Sequence, residues 1–124
     1  IAYTFYASNK GQDTINYWAT IEIEDVIKNV DEAIRVMVIK NGERTIYAKK
    51  NKSTGNAENN TQPFYSDNVI MLEKNENFQV DSEDKYTIVI WVEGDDPDCT
   101  DELIGGEIKM NMRLTEEHIN LENN

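Results

Sequence analysis

The sequence predicts an all-β fold: a two-sheet antiparallel β-sandwich of about seven strands, jelly-roll or immunoglobulin-like, with one short helical turn. Three observations predict it. Apolar and polar residues alternate with period two along most of the chain. Asn41-Gly42 sits between two β-rich runs, and Asn-Gly supplies the two positive φ values of a type I′ hairpin turn. The helices that parallel crossovers would require are missing from the pattern, which leaves an antiparallel arrangement of short, closely spaced strands.

The elements follow in order. AYTFYAS, residues 2–8, places Tyr3, Phe5 and Ala7 on one face. SNKGQD is a turn, with Gly11 available for positive φ. TINYWATIEIED puts Ile15, Tyr17, Ala19, Ile21 and Ile23 on one face and Asn16, Trp18, Thr20, Glu22 and Glu24 on the other, the pattern of a half-buried strand. From Asp25 to Ala33 the spacing of Val26, Ile27, Val30 and Ala33 changes to three-four, which predicts a short helical turn over one end of the core. Ile34–Lys40 and Glu43–Lys49 form the hairpin around Asn41-Gly42. Lys50 to Asp67 is polar and reads as a long mobile loop.

NVIMLE, 68–73, resumes a strand, and KNENFQVDSED, 74–84, reads as a turn region. KYTIVIWVE, 85–93, is apolar on both faces and predicts a central strand. After the acidic stretch EGDDPDCTDELIGG, the run GGEIKMNMRL directs Ile108, Met110, Met112 and Leu114 inward. Residues 115–124 are polar and read as a frayed tail. The whole, residues 1–124, is the length of one domain.

Composition narrows the function classes. With 24 acidic against 12 basic residues the formal charge is −12, which repels phosphate backbones and argues against a nucleic-acid partner. The single cysteine, Cys99, excludes an internal disulfide, so the fold rests on burial. No apolar run approaches the roughly 20 residues of a membrane-spanning helix. The chain opens in strand-like alternation without Met, which reads as a processed or trimmed product.

The acidic stretch is the one candidate metal site. Asp95, Asp96, Asp98 and Asp101 offer oxygens of the kind calcium takes. Their spacing is not that of an EF-hand, and Pro97 restricts Asp96. The plainer reading is a solvated loop with aspartates capping backbone N–H groups, anchored by Pro97 and Cys99 and leaving through a turn or bulge at Gly105 and Gly106. Hence no cofactor is expected, with calcium as the alternative. Acidic neighbours oppose a Cys99 thiolate, and one histidine, His118, cannot build a histidine-based zinc site. No catalytic motif is present, and no catalytic residue is assigned. Trp18 and Trp91 lie opposite the main aliphatic stripes. They read as rings covered by the fold, with an exposed carbohydrate platform as the alternative.

Two longer segments carry a family likeness. FYASNKGQDTINYWATIEIEDVIKNVDEAIRVMVIKNGE, Phe5 to Glu43, joins two strands, an Asn-x-Gly turn and a DEAIRV segment. YTIVIWVEGDDPDCTDELIGGEIKMNM, Tyr86 to Met112, sets the acidic stretch between two core strands, with Trp91, Glu93, Gly94, Asp96, Pro97, Asp98 and Cys99 as W-x-E-G-x-D-P-D-C. The chain resembles the exported Gram-positive proteins handled by the SipW-type signal peptidase, the TasA/camelysin-like group. That resemblance implies a β-sandwich secreted to the cell surface or the extracellular matrix of a biofilm. It implies a filament subunit that assembles by donating a terminal strand. For camelysin-like members it implies a metallopeptidase, for which this chain lacks a ligand set.

The expected function is therefore a non-enzymatic surface or matrix protein whose partners are copies of itself or other surface proteins. The alternative is a calcium- or glycan-binding module built on residues 93–106. Tyr3 and Phe5 of the first strand are the expected assembly residues, because a strand with no protective Pro is ready to pair with another chain.

Overall fold

The computed structural model describes residues 2–26, 32–93 and 108–118. Among these residues eight strands form a two-sheet, predominantly antiparallel β-sandwich: β1 (Ala2–Ser8), β2 (Ile15–Val26), β3 (Ile34–Lys40), β4 (Glu43–Ala48), β5 (Gln62–Pro63), β6 (Val69–Phe78), β7 (Glu83–Val92) and β8 (Ile108–His118). One sheet has the order β1-β7-β3-β4-β5, and the other β6-β2-β8. Among the described strands the single parallel pair is the two-residue match of β5 with β4. β1 and β2 lie in opposite sheets. The first two strands of an immunoglobulin domain are neighbours in one sheet, so this strand order is not the immunoglobulin one. Among the described residues no helix is long and apolar enough to cross a membrane.

The alternating stripes form the core as read. Tyr17, Ala19, Ile21 and Ile23 of β2 are buried against Val36 and Val38 of β3, Tyr86 and Ile88 of β7, and Ile70 and Met71 of β6. β7 pairs with β1 on one side and β3 on the other, the central place its two apolar faces predict. The hairpin turn is also as read, with Asn41 at φ 50° and Gly42 at φ 88°.

Four boundaries differ from the sequence reading. First, the segment read as a helical turn, 25–33, begins in strand: Asp25 and Val26 pair with Lys109 and Ile108 beyond a bulge, Glu32 takes a 3-10 turn, and residues 27–31 lie outside the described set. Second, β6 runs on to Phe78 and β7 begins at Glu83, which shortens the turn region to four residues. Alternating hydrophobicity stops early there because Glu73 and Asn75 point inward and are satisfied by Lys40. Third, β8 reaches His118, four residues into the segment read as a frayed tail, because 115–118 pair with 15–18 of β2. Fourth, Gly11 has no positive φ. The buried Asn9 side chain builds that turn instead. It donates to the carbonyls of Asp13 and Phe78, both at 2.9 Å, and accepts from the Gly11 N–H at 3.1 Å.

The 50–67 loop, read as mobile, is tied down. Asn51 Oδ1 accepts from the N–H groups of Ser53 and Thr54, and Asn51 N–H donates to the Asn56 carbonyl. Glu58 grips Arg35 of β3 through two hydrogen bonds, at 2.9 and 3.1 Å.

Candidate assembly surface

A two-sheet sandwich has open edges, and an unpaired row of N–H and C=O groups invites another strand. Three of the four outermost strands here are guarded. β5 is two residues long and contains Pro63, while the part of β4 it leaves open begins with Glu43 and Arg44. β6 carries Glu73, Lys74 and Glu76. β8 carries Lys109, Arg113, Glu116 and Glu117. β1 is the exception: AYTFYAS has seven residues with no charge, no Pro and no Gly. Among the described residues only β7 pairs with it, from Ala2 opposite Val89 to Ser8 opposite Glu83.

β1 also leaves apolar surface exposed. Exposure rises along its inward stripe from Ala7 at 5%, through half-buried Phe5, to Tyr3 at 56%. The opposing sheet is two strands narrower and leaves this margin partly uncovered. The contact between β4 and β6 sets those strands at one margin and so places β1 and β8 at the other. There Met110 and Met112 pack against the core as expected, whereas Leu114, also read as inward, is 43% exposed. Of the two expected assembly residues, Tyr3 is open to solvent. Phe5 is occupied: its ring stacks on Tyr86 with centroids 5.1 Å apart and planes 6° from parallel. On the outward face of β1, Tyr6 is 53% exposed.

Beneath this margin the two sheets are joined by a phenol pair, Tyr17 and Tyr86. Tyr17 of β2 donates to Asp84 Oδ2 at 2.5 Å, and its oxygen lies 2.7 Å from the Tyr86 hydroxyl. Burial, then the Asp84 hydrogen bond, raises the Tyr17 pKa far above the ordinary phenol range. Burial pushes Tyr86 up to about 12, against the lowering effect of its bond to Tyr17. Both hydroxyls therefore stay protonated at neutral pH and serve as clamps between β2 and β7, not as bases.

Asp95, Asp96, Pro97, Asp98, Cys99, Asp101, Gly105 and Gly106 lie outside the described residues. Among the described residues no three His, Cys, Asp or Glu side chains group where they could hold a metal ion. Trp18 and Trp91 sit on opposite outer faces of the sandwich, each half-buried. The Trp18 indole N–H donates to Glu117 at 3.1 Å, and the Lys74 ammonium lies 5.5 Å from its ring centroid. The Trp18 bond and the Lys74 charge together hold Glu117 below the usual carboxylate range.

Comparison with known proteins found no matching family model, no matching curated protein and no matching solved structure.

Proposed function

We propose that this is a non-catalytic secreted surface or matrix protein that self-assembles through its first strand, in the manner of the TasA-like group it resembles. The observation that carries this reading is the contrast among edges: charge, Pro or brevity guards β4–β5, β6 and β8, and nothing in its own sequence guards β1. A second copy that adds a strand to β1 would gain main-chain hydrogen bonds along up to seven residues and cover Tyr3 and the exposed flank of Leu114. Strand donation is the exchanged form of the same contact, in which β1 of one copy takes the place beside β7 of the next.

Negative-stain microscopy and sedimentation velocity test this on the full chain, on Thr4→Lys/Tyr6→Lys, and on a chain lacking residues 1–8. Oligomers or filaments from the full chain and monomers from both variants support edge addition. Assemblies that survive the lysines and vanish on deletion support donation. Dispersed monomers from all three proteins, or assemblies that persist without residues 1–8, overturn the reading.

A further inference from the structure

A cavity of about 610 Å³ lies under the 50–67 loop, apart from the β1 margin. Its lining inverts the character of the chain. Arg35, Lys49, Lys50 and Lys52 supply four of the chain's 12 basic residues, whereas Glu32, Glu58 and Asp67 are only three of its 24 acidic ones. Two of those three carboxylates already face cations: Glu58 holds Arg35 at 2.9 Å, and Glu32 is paired with Lys52. Among the described residues the lining is therefore net positive inside a chain of net charge −12, a balance that favours anions here.

The floor is rigid. The Arg35 side chain is 5% exposed, and its Nη1 donates to the carbonyls of Glu32 and Ile34 at 3.1 and 3.0 Å. The Glu58 clamp ties the loop to it through bonds that are made before any ligand arrives. The walls add uncharged polar groups, the Asn56 and Asn59 amides and the Ser66 hydroxyl, beside the half-buried ring of Phe64. A bare phosphate or sulfate would fill a small part of this volume and leave those groups idle. An apolar ligand would desolvate them without partners.

We propose that this cavity binds an acidic oligosaccharide, with uronate carboxylates against the lysines and sugar hydroxyls against the amides of Asn56 and Asn59. The site is independent of assembly at β1. It gives the protein a means of holding a polyanionic polymer despite its own negative charge.

The test is titration calorimetry, with amide chemical shifts, of the full chain against tri-galacturonate, maltotriose and inorganic phosphate. Lys50→Glu and Lys10→Glu serve as the test and control variants, since both lysines are exposed and Lys10 lies outside the cavity lining. The expected result is binding of tri-galacturonate with shifts at Asn56 and Asn59, weakened about tenfold or more by Lys50→Glu, the scale of losing a charge-assisted contact. Lys10→Glu should leave it unchanged. The proposal is overturned if tri-galacturonate fails to bind at millimolar concentration, or if maltotriose or phosphate binds as tightly. Equal weakening by the two variants, which would signal nonspecific charge attraction, also overturns it.

Discussion

β1 and β8 are both edge strands at the same margin of the sandwich, and they solve the edge problem in opposite ways. β8 has eleven residues and eleven register pairs with β2, and its outward side chains are tied into ion pairs. Arg113 meets Glu22 at 3.2 Å, and Lys109 meets Glu24 at 3.4 Å. β1 has seven residues, seven register pairs with β7, and no charge. On its outward face the Thr4 and Thr87 hydroxyls pair at 3.0 Å, and at its end the Ser8 hydroxyl donates to Glu83 at 3.2 Å. Incoming chains meet a hydrated charged ladder at β8 and a neutral, half-apolar ribbon at β1. One edge of this margin is thus guarded by charge and the other carries none.

The comparison breaks most sharply if charge is moved onto β1. Thr4→Lys/Tyr6→Lys should abolish edge addition, read as collapse of the sedimentation distribution to monomer. The converse change strips the guard from β8. Lys109→Thr/Arg113→Thr/Glu116→Thr should create a second adhesive edge and shift the full chain to larger species at equal concentration. An unchanged distribution would show that charge is not what protects β8.

A smaller effect probes the clamp on which both edges rest, since Tyr17 and Tyr86 join β2, the partner of β8, to β7, the partner of β1. Tyr17→Phe should lower unfolding stability by about 1–3 kcal/mol in urea, because it leaves Asp84 and the buried Tyr86 hydroxyl short of a partner. Both phenols have folded-state pKa values above their ordinary 10.0. Their contribution is thus fully present below pH 10 and is lost as pH rises from 10 toward and beyond 12, where the unfolded chain has released protons that the folded one retains. Tyr17→Phe should flatten that alkaline loss, and an equally steep loss in the variant would remove the clamp from the account. The smallest effect belongs to the β8 face. Lys74→Ala removes a cation from the Trp18 ring and a 4.0 Å contact with Glu117, and should cost no more than about 1 kcal/mol in thermal unfolding.

Much of this was legible in the residues. The stripes of β2, β3 and β7 alternate so regularly that each inward position could be named, and Asn41-Gly42 named its own turn. Legibility ended where polar residues faced inward. Glu73 and Asn75 hide the second half of β6, because their partner Lys40 arrives from the other sheet. Thr115 to Glu117 read as a tail because an edge strand facing solvent needs no apolar stripe. Tyr3 and Phe5 could be selected as edge residues from the absence of Pro and charge, but not the fact that one is open and the other stacked. The cavity under the loop left no local signal, since Arg35 and Glu58 stand 23 residues apart.

The sequence by itself determined that this protein is built of alternating strands, where its tightest turn falls, and which strand carries no charge. Those are consequences of side-chain period and backbone preference, which act between near neighbours. Only the tertiary structure decided that β1 and β2 part into opposite sheets, that β1 and β8 share a margin the narrower sheet leaves uncovered, and that lysines gather over a buried arginine in an acidic chain. Each of these depends on pairing between residues far apart in sequence, where the stabilisation comes from register and burial that no local pattern encodes.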